Sequence, residues 1–209
     1  MKLTSSSFSD GGVIPAEYAF CAPDPKSHAS LSKNQNPQLA WLDVPMGTKS
    51  FALICHDPDV PSRGDDVNKE GRTVPKSLPR VDFFHWVVVD LPASAVGINV
   101  GEFSSSVVPR GKPGPQGAHG SRTGLNGYTD WFANDKDMAG DYYGYDGPCP
   151  PWNDEIPHHY VFTVFALDVE RLPLQGRFGG KEVRAAVAGH VLGQASITGR
   201  YTLNPAVRL

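Results

Sequence analysis

The chain has 209 residues, 40% of them hydrophobic, with 22 glycines, 19 prolines and a formal charge of −3. That length and apolar content suit one turn-rich domain over residues 1–209, and a near-neutral charge without a Lys/Arg-rich run excludes nucleic acid and anionic membrane surfaces as partners. No stretch nears the roughly 20 apolar residues of a membrane span, and the start MKLTSSSFSDGG holds no apolar run long enough for a secretory signal, so a soluble, cytoplasmic protein without membrane insertion is expected.

The first predicted strand is KSFALICH (49–56), apolar and rich in Phe and Ile. It runs into DPDVPSR and a connection over 58–82 dense in Gly, Pro and Asp. HWVVVDL (85–91) is the second strand, followed by a long connection over 109–157. HYVFTVFAL (159–167) is the third. One helix is predicted near 180–192, with Val183, Val187, His190 and Val191 on one face and Gly193 as its stop. ASITGRYT (195–202) alternates more evenly and reads as a strand near a sheet edge. Cys21, Cys55 and Cys149 are odd in number and lack a C-x-x-C, so buried or idle thiols are expected, with no disulfide framework, no metal site and no cofactor.

The strand ends carry the chemistry. Asp57 stands at the exit of the first strand and His85 at the start of the second, so antiparallel pairing brings them to one end of a sheet. His158 joins them only if the third strand runs parallel to the second. Side chains alternate along a strand, so His158 and Tyr160 share one face and His159 turns to the other.

DPDVPSR (57–63), HWVVVDLP (85–92) and GPCPPWNDEIPHHYVFTVFALD (147–168) together resemble the phosphatidylethanolamine-binding protein family, its bacterial and archaeal branch in particular. GHVLGQASITGRYTLNP (189–205) extends the likeness, which covers the chain from about Leu39 onward. The resemblance implies a mainly β fold: a large central mixed β-sheet packed on a smaller sheet, with a few peripheral helices. It implies an anion pocket lined by Asp57, His85, His158 and Tyr160, with Pro61, Phe83 and the Gly147, Cys149, Pro150, Pro151 turn around it, and a cis peptide before Pro61. A homodimer is the expectation from bacterial relatives.

Two features depart from the family pattern. His159 stands where many eukaryotic members carry Arg, which weakens or makes pH-dependent any pairing with Asp59 and leaves kinase regulation untransferable. Gly64–Val81 and 133–146 read as longer loops, able to cover the pocket or build an oligomer contact.

An imidazole with an ordinary pKa of about 6.5 can present N–H to an anion while a carboxylate fixes its other nitrogen. Asp57 beside His85 would favour imidazolium and, with it, a zwitterion such as a phosphoethanolamine headgroup. The phosphate would accept from His85, His158 and the main-chain N–H groups of Gly147 and Cys149, and the ammonium would lie near Asp57 or an aromatic face. The expectation is a binding protein for a small anion or phospholipid headgroup, not an enzyme. The alternatives are a protease- or kinase-inhibitor-like module meeting a protein partner through its loops, or a small hydrolase using an Asp57–His85 pair. No H-E-x-x-H, G-x-S-x-G, Walker A or G-x-G-x-x-G motif occurs, and DKDMAGD puts Ala139 where a calcium loop needs oxygen. Asp59 reads as a turn residue bonding its own backbone, and the Tyr142, Tyr143, Tyr145 cluster as loop packing. His28, His56, His119 and His190 receive no role, with His190 packed on the helix face.

Overall fold

A computed structural model describes all residues, 1–209. In chain order its strands are β1 (Lys2–Thr4), β2 (Cys21–Asp24), β3 (His28–Leu31), β4 (Leu39–Leu42), β5 (Ser50–Pro61), β6 (Arg80–Pro92), β7 (Gly97–Ile98), β8 (Arg122–Thr123), β9 (His158–Leu167) and β10 (Val191–Tyr201). Two α-helices, α1 (Tyr128–Trp131) and α2 (Gly180–Val187), are peripheral. A five-stranded sheet has the order β10-β9-β5-β6-β8, a three-stranded sheet the order β1-β4-β7, and β2 and β3 form a hairpin.

β5 decides the arrangement. Its first six residues are buried, because alternate side chains enter separate cores on the two faces of the sheet. Phe51, Leu53 and Cys55 join Trp86, Val88, Phe162 and Val164 on one face, beneath Leu3, Leu39, Trp41 and Ile98 of the small sheet. Ala52 and Ile54 join Phe84, Val87, Val89 and, from α2, Val183 and Val187 on the other. A strand covered on both faces reads as a near-continuous apolar run, which is how KSFALICH and HWVVVDL present themselves.

β5 is antiparallel to both β6 and β9. The two flanking strands therefore run parallel to each other, and the topological demand made by the two histidines is met. Every neighbouring pair in the large sheet is antiparallel, with a parallel component only at a single bridge, Val13 to Arg200 on the β10 side. The sheet expected to be mixed is thus antiparallel in its strands. β10 is one of the two edge strands, as its alternation predicts, and β8 is the other.

Three boundaries differ from expectation. β5 continues to Pro61 and β6 begins at Arg80, so the connection is shorter than 58–82. The helix stops at Val187, not 192: Ala188 leaves helical geometry at ψ 126° and Gly189 takes a left-handed φ of 85° that turns the chain into β10. His190 lies beyond the helix with Nδ1 2.9 Å from Asp168, and Gly193 is a strand residue opposite Ala166. The bond before Pro61 is trans; Val60 and Pro61 pair with Val81 and Arg80 as ordinary strand residues.

Phe162 is wholly buried, with its ring 5.4 Å from that of Phe8. Phe162→Ala should cost about 3–5 kcal/mol in urea unfolding, whereas Val96→Ala, at a side chain 73% exposed, should cost under about 0.5 kcal/mol.

Candidate functional site

The end of β5 and the first residues of β9 hold a chain of charges. His158 gives Nδ1 to Asp57 at 2.6 Å and Nε2 to Asp154 at 3.2 Å. Arg80 forks onto Asp154, Nη1 to Oδ2 at 2.5 Å and Nη2 to Oδ1 at 3.0 Å. Asp57, Asp154 and His158 are each 1% exposed, so two carboxylates and two cations balance out of water. Carboxylates only accept, so with both ring nitrogens on carboxylate oxygens His158 is assigned as imidazolium. Burial opposes that charge, but Asp57 and Asp154 outweigh it and push the His158 pKa up to about 9. Burial would raise the Asp154 carboxyl, yet its bonds from His158 and Arg80 hold it below its ordinary value.

His85 meets the opposite fate. Its Nδ1 lies 2.7 Å from the main-chain oxygen of Asp146, an acceptor, so Nδ1 carries the proton. Burial pushes its pKa below the ordinary value, against the pull of Asp57 and Asp146, and the ring is neutral. Aromatic rings surround it: Phe83 at 4.8 Å, Tyr160 at 5.0 Å and Tyr128 at 5.8 Å between centroids. Nε2 bonds nothing in the chain. It is also absent from the polar atoms sealed without a partner, which are His56 Nδ1, Arg80 Nε and Trp86 Nε1, so it retains contact with solvent.

Most expected site residues thus gather: Asp57, His85, His158, Tyr160 and Phe83. The pairing differs, however. Asp57 binds His158, not His85, because β9 brings the His158 ring to Asp57 while a main-chain carbonyl holds His85. Asp57 takes a bond on each oxygen, from His158 and from the Asp59 amide at 2.8 Å, so its charge is already paired with the His158 imidazolium. His158 has no proton left for a phosphate. Pro61, at the far end of β5, pairs with Arg80 rather than with either histidine strand end. As alternation requires, His159 faces away and binds Asp59, Nδ1 to Oδ2 at 2.8 Å.

The rim turn is tied on all sides. The Gly147 amide is not free for a ligand: it donates to Asn34 Oδ1 at 2.8 Å, and the Gly147 carbonyl accepts from Tyr128 Oη at 2.8 Å. Pro150 and Pro151 are buried behind it. Cys149 is no idle thiol, because a disulfide joins it to Cys21, 128 positions away. Phe20 and Cys21 amides both donate to the Pro148 carbonyl, which lays the two cysteines side by side. Only Cys55 remains a free thiol.

Sequence reasoning missed Arg80, Asp154, Tyr128 and Asp146. Arg80 and Asp154 come from loops or strand ends without periodic signal, and Asp146 acts largely through its main chain, which no side-chain pattern reports. Tyr142 and Tyr145 are fully buried, the packing role expected of them. A cavity of about 280 Å³ lies elsewhere, between 101–118, Thr123 and 143–144.

A family model described as phosphatidylethanolamine-binding protein matches residues 4–202. The chain is 34% identical over 202 residues to the UPF0098 protein YbhB of Escherichia coli K12, covering 97% of this chain and 100% of that one. It is 31% identical to a UPF0098 protein of the archaeon Methanothermobacter thermautotrophicus, over 96% of this chain and 98% of that one. Among solved structures, E. coli YbcL, described as a member of the mammalian PEBP family, superposes with a TM-score of 0.66 at 28% identity, covering 96% of this chain and 97% of that one.

The His158 pKa of about 9 lies above the unfolded value of about 6.5. Its contribution to stability is therefore complete below pH ~6.5 and disappears as pH rises through about 9. Urea unfolding between pH 6 and 9 should show this decline, and His158→Gln should flatten it; an unchanged slope would refute the assignment. Cys149→Ser should lower stability by about 2–4 kcal/mol and speed hydrogen exchange around Gly147–Pro151, both absent if the disulfide carries nothing.

Proposed function

The chain belongs to the phosphatidylethanolamine-binding protein family, and we propose that its pocket binds a small phosphate-type anion by taking up a proton on His85 Nε2. The observation that carries this reading is the uncommitted Nε2 of His85, since both ring nitrogens of His158 are already bonded. Neutral His85 offers a lone pair there, which an anion repels; protonated, it offers a charged N–H donor on a ring 5.0 Å from that of Tyr160. The balanced Asp57–His158–Asp154–Arg80 cluster supplies no net charge, so the proton on His85 becomes the attraction.

A phosphoethanolamine headgroup fits this chemistry in a modified way. Its phosphate would meet His85 and Tyr160, with the Cys149 amide, which bonds nothing else in the chain, as a main-chain donor. Its ammonium would lie against the faces of Phe83, Tyr128 or Tyr160 rather than on the committed Asp57.

Binding is favoured over hydrolysis by the absence of a nucleophile bonded to His85. The free thiol, Cys55, is fully buried, and burial pushes its pKa far above neutrality. No helix is long and apolar enough to cross a membrane. The Cys21–Cys149 disulfide favours an oxidising compartment over the cytoplasmic location expected from composition.

NMR titration with sulfate, whose charge is constant over the range, should shift His85 signals and show affinity rising up to about tenfold per unit fall in pH until His85 is protonated in the free protein. O-phosphoethanolamine run in parallel separates headgroup from bare anion. His85→Ala should abolish the response. A pH-independent affinity, or spectra unchanged at millimolar ligand and pH 5.5, would overturn the proposal.

A further inference from the structure

Behind His85 lies a polar cluster that the pocket chemistry does not itself require. Asp146 clasps His85 through its main chain in both directions: its amide donates to the His85 carbonyl at 3.0 Å, and its carbonyl accepts from Nδ1 at 2.7 Å. Its carboxylate is gripped by three side chains from separate parts of the chain. Asn34 Nδ2 donates to Oδ1 at 2.7 Å, Asn126 Nδ2 to Oδ2 at 2.8 Å, and Lys112 Nζ to Oδ2 at 2.9 Å. Asp146 and Asn34 are fully buried, Asn126 is 3% exposed and Lys112 8%. Lys112 gives its other protons to Ser104 Oγ and the Tyr145 carbonyl.

A buried ion pair is a poor means of merely fastening a loop, since apolar side chains of similar volume do that at least as well. What a carboxylate held by three donors supplies is a fixed direction. We propose that Asp146 is the positioning residue of the anion pocket: Lys112, Asn34 and Asn126 lock its carboxylate, and the locked main chain holds His85 so that Nε2, not Nδ1, faces the ligand. The inference rests on the anion-binding reading for its functional meaning, while its structural content stands apart from any ligand. The charged and titratable groups facing His85 are Asp57, Asp146, His158, Tyr128 and Tyr160. Of these only Asp146 bonds the ring.

The test begins with ligand-free wild-type protein at pH 7. Long-range ¹H–¹⁵N spectra should show His85 as a single neutral tautomer protonated at Nδ1; a ring protonated at Nε2 overturns the inference outright, whether or not the protein binds anions. Conversely, if no anion binds, the tautomer reading still stands or falls by itself. Asn126→Ala, which keeps the ion pair, and Lys112→Met, which removes it, should each give a tautomer mixture and weaken sulfate binding by about 10–100-fold. Lys112→Arg should restore the wild-type signature. If Lys112→Met fails to fold, Asn126→Ala decides: a folded variant with the wild-type tautomer and wild-type sulfate affinity reduces the cluster to scaffolding.

Discussion

Four ionisable side chains leave water together at the end of β5, and none could do so alone. Removing one partner from a buried ion pair strands the other at a cost of about 3–5 kcal/mol, so Asp57, His158, Asp154 and Arg80 are present as a set. That interdependence binds four chain segments: the end of β5, the start of β6, the loop before β9 and β9 itself. It also explains why the loop before β9 is ordered without regular structure. Asp154 anchors it through Arg80 and His158, and Asn153 Nδ2 binds the carbonyls of Asp66 and Arg72 at 2.9 and 3.0 Å, fastening the 62–79 connection to it.

The two pocket histidines are almost equally buried, yet their protons behave oppositely, so burial alone does not set their charge. His158 lies between two carboxylates and is raised; His85 meets a carbonyl dipole and is lowered. One imidazole becomes a fixed structural cation and the other a neutral ring whose pKa burial holds below the ordinary value. The division follows from what each strand register presents. Asp57, at the end of β5, meets the first residue of β9 through His158 Nδ1, whereas His85 bonds the Asp146 turn.

Much of this was legible beforehand. Apolar runs located β5, β6 and β9 because central strands cannot hide polar residues, and alternation separated His158 from His159 because strand geometry permits nothing else. What stayed illegible were pairings set by irregular backbone. Nothing in the spacing of Cys21 and Cys149 reveals that the Pro148 carbonyl accepts from both Phe20 and Cys21 and so brings the thiols together. Nothing local marks Asp146, whose decisive atom is a main-chain oxygen. The error over Asp57 has the same root: strand ends predicted which residues would meet, but not which ring nitrogen would face which acceptor.

Volume and chemistry point to different places in this molecule, and chemistry is the better guide. The cavity of about 280 Å³ is not lined by His85. Its cation, Lys112, is bonded to Asp146, Ser104 and Tyr145, and its carboxylate, Glu102, to Asn99 and His119, so both charges are already satisfied. A ligand there would have to displace internal bonds to gain ionic ones. Beside His85 the reverse holds: Nε2 bonds nothing in the chain. An imidazole nitrogen that touches solvent and has no internal partner can take a ligand without breaking a bond inside the chain, which is why the proposed anion is placed at His85 and not in the cavity.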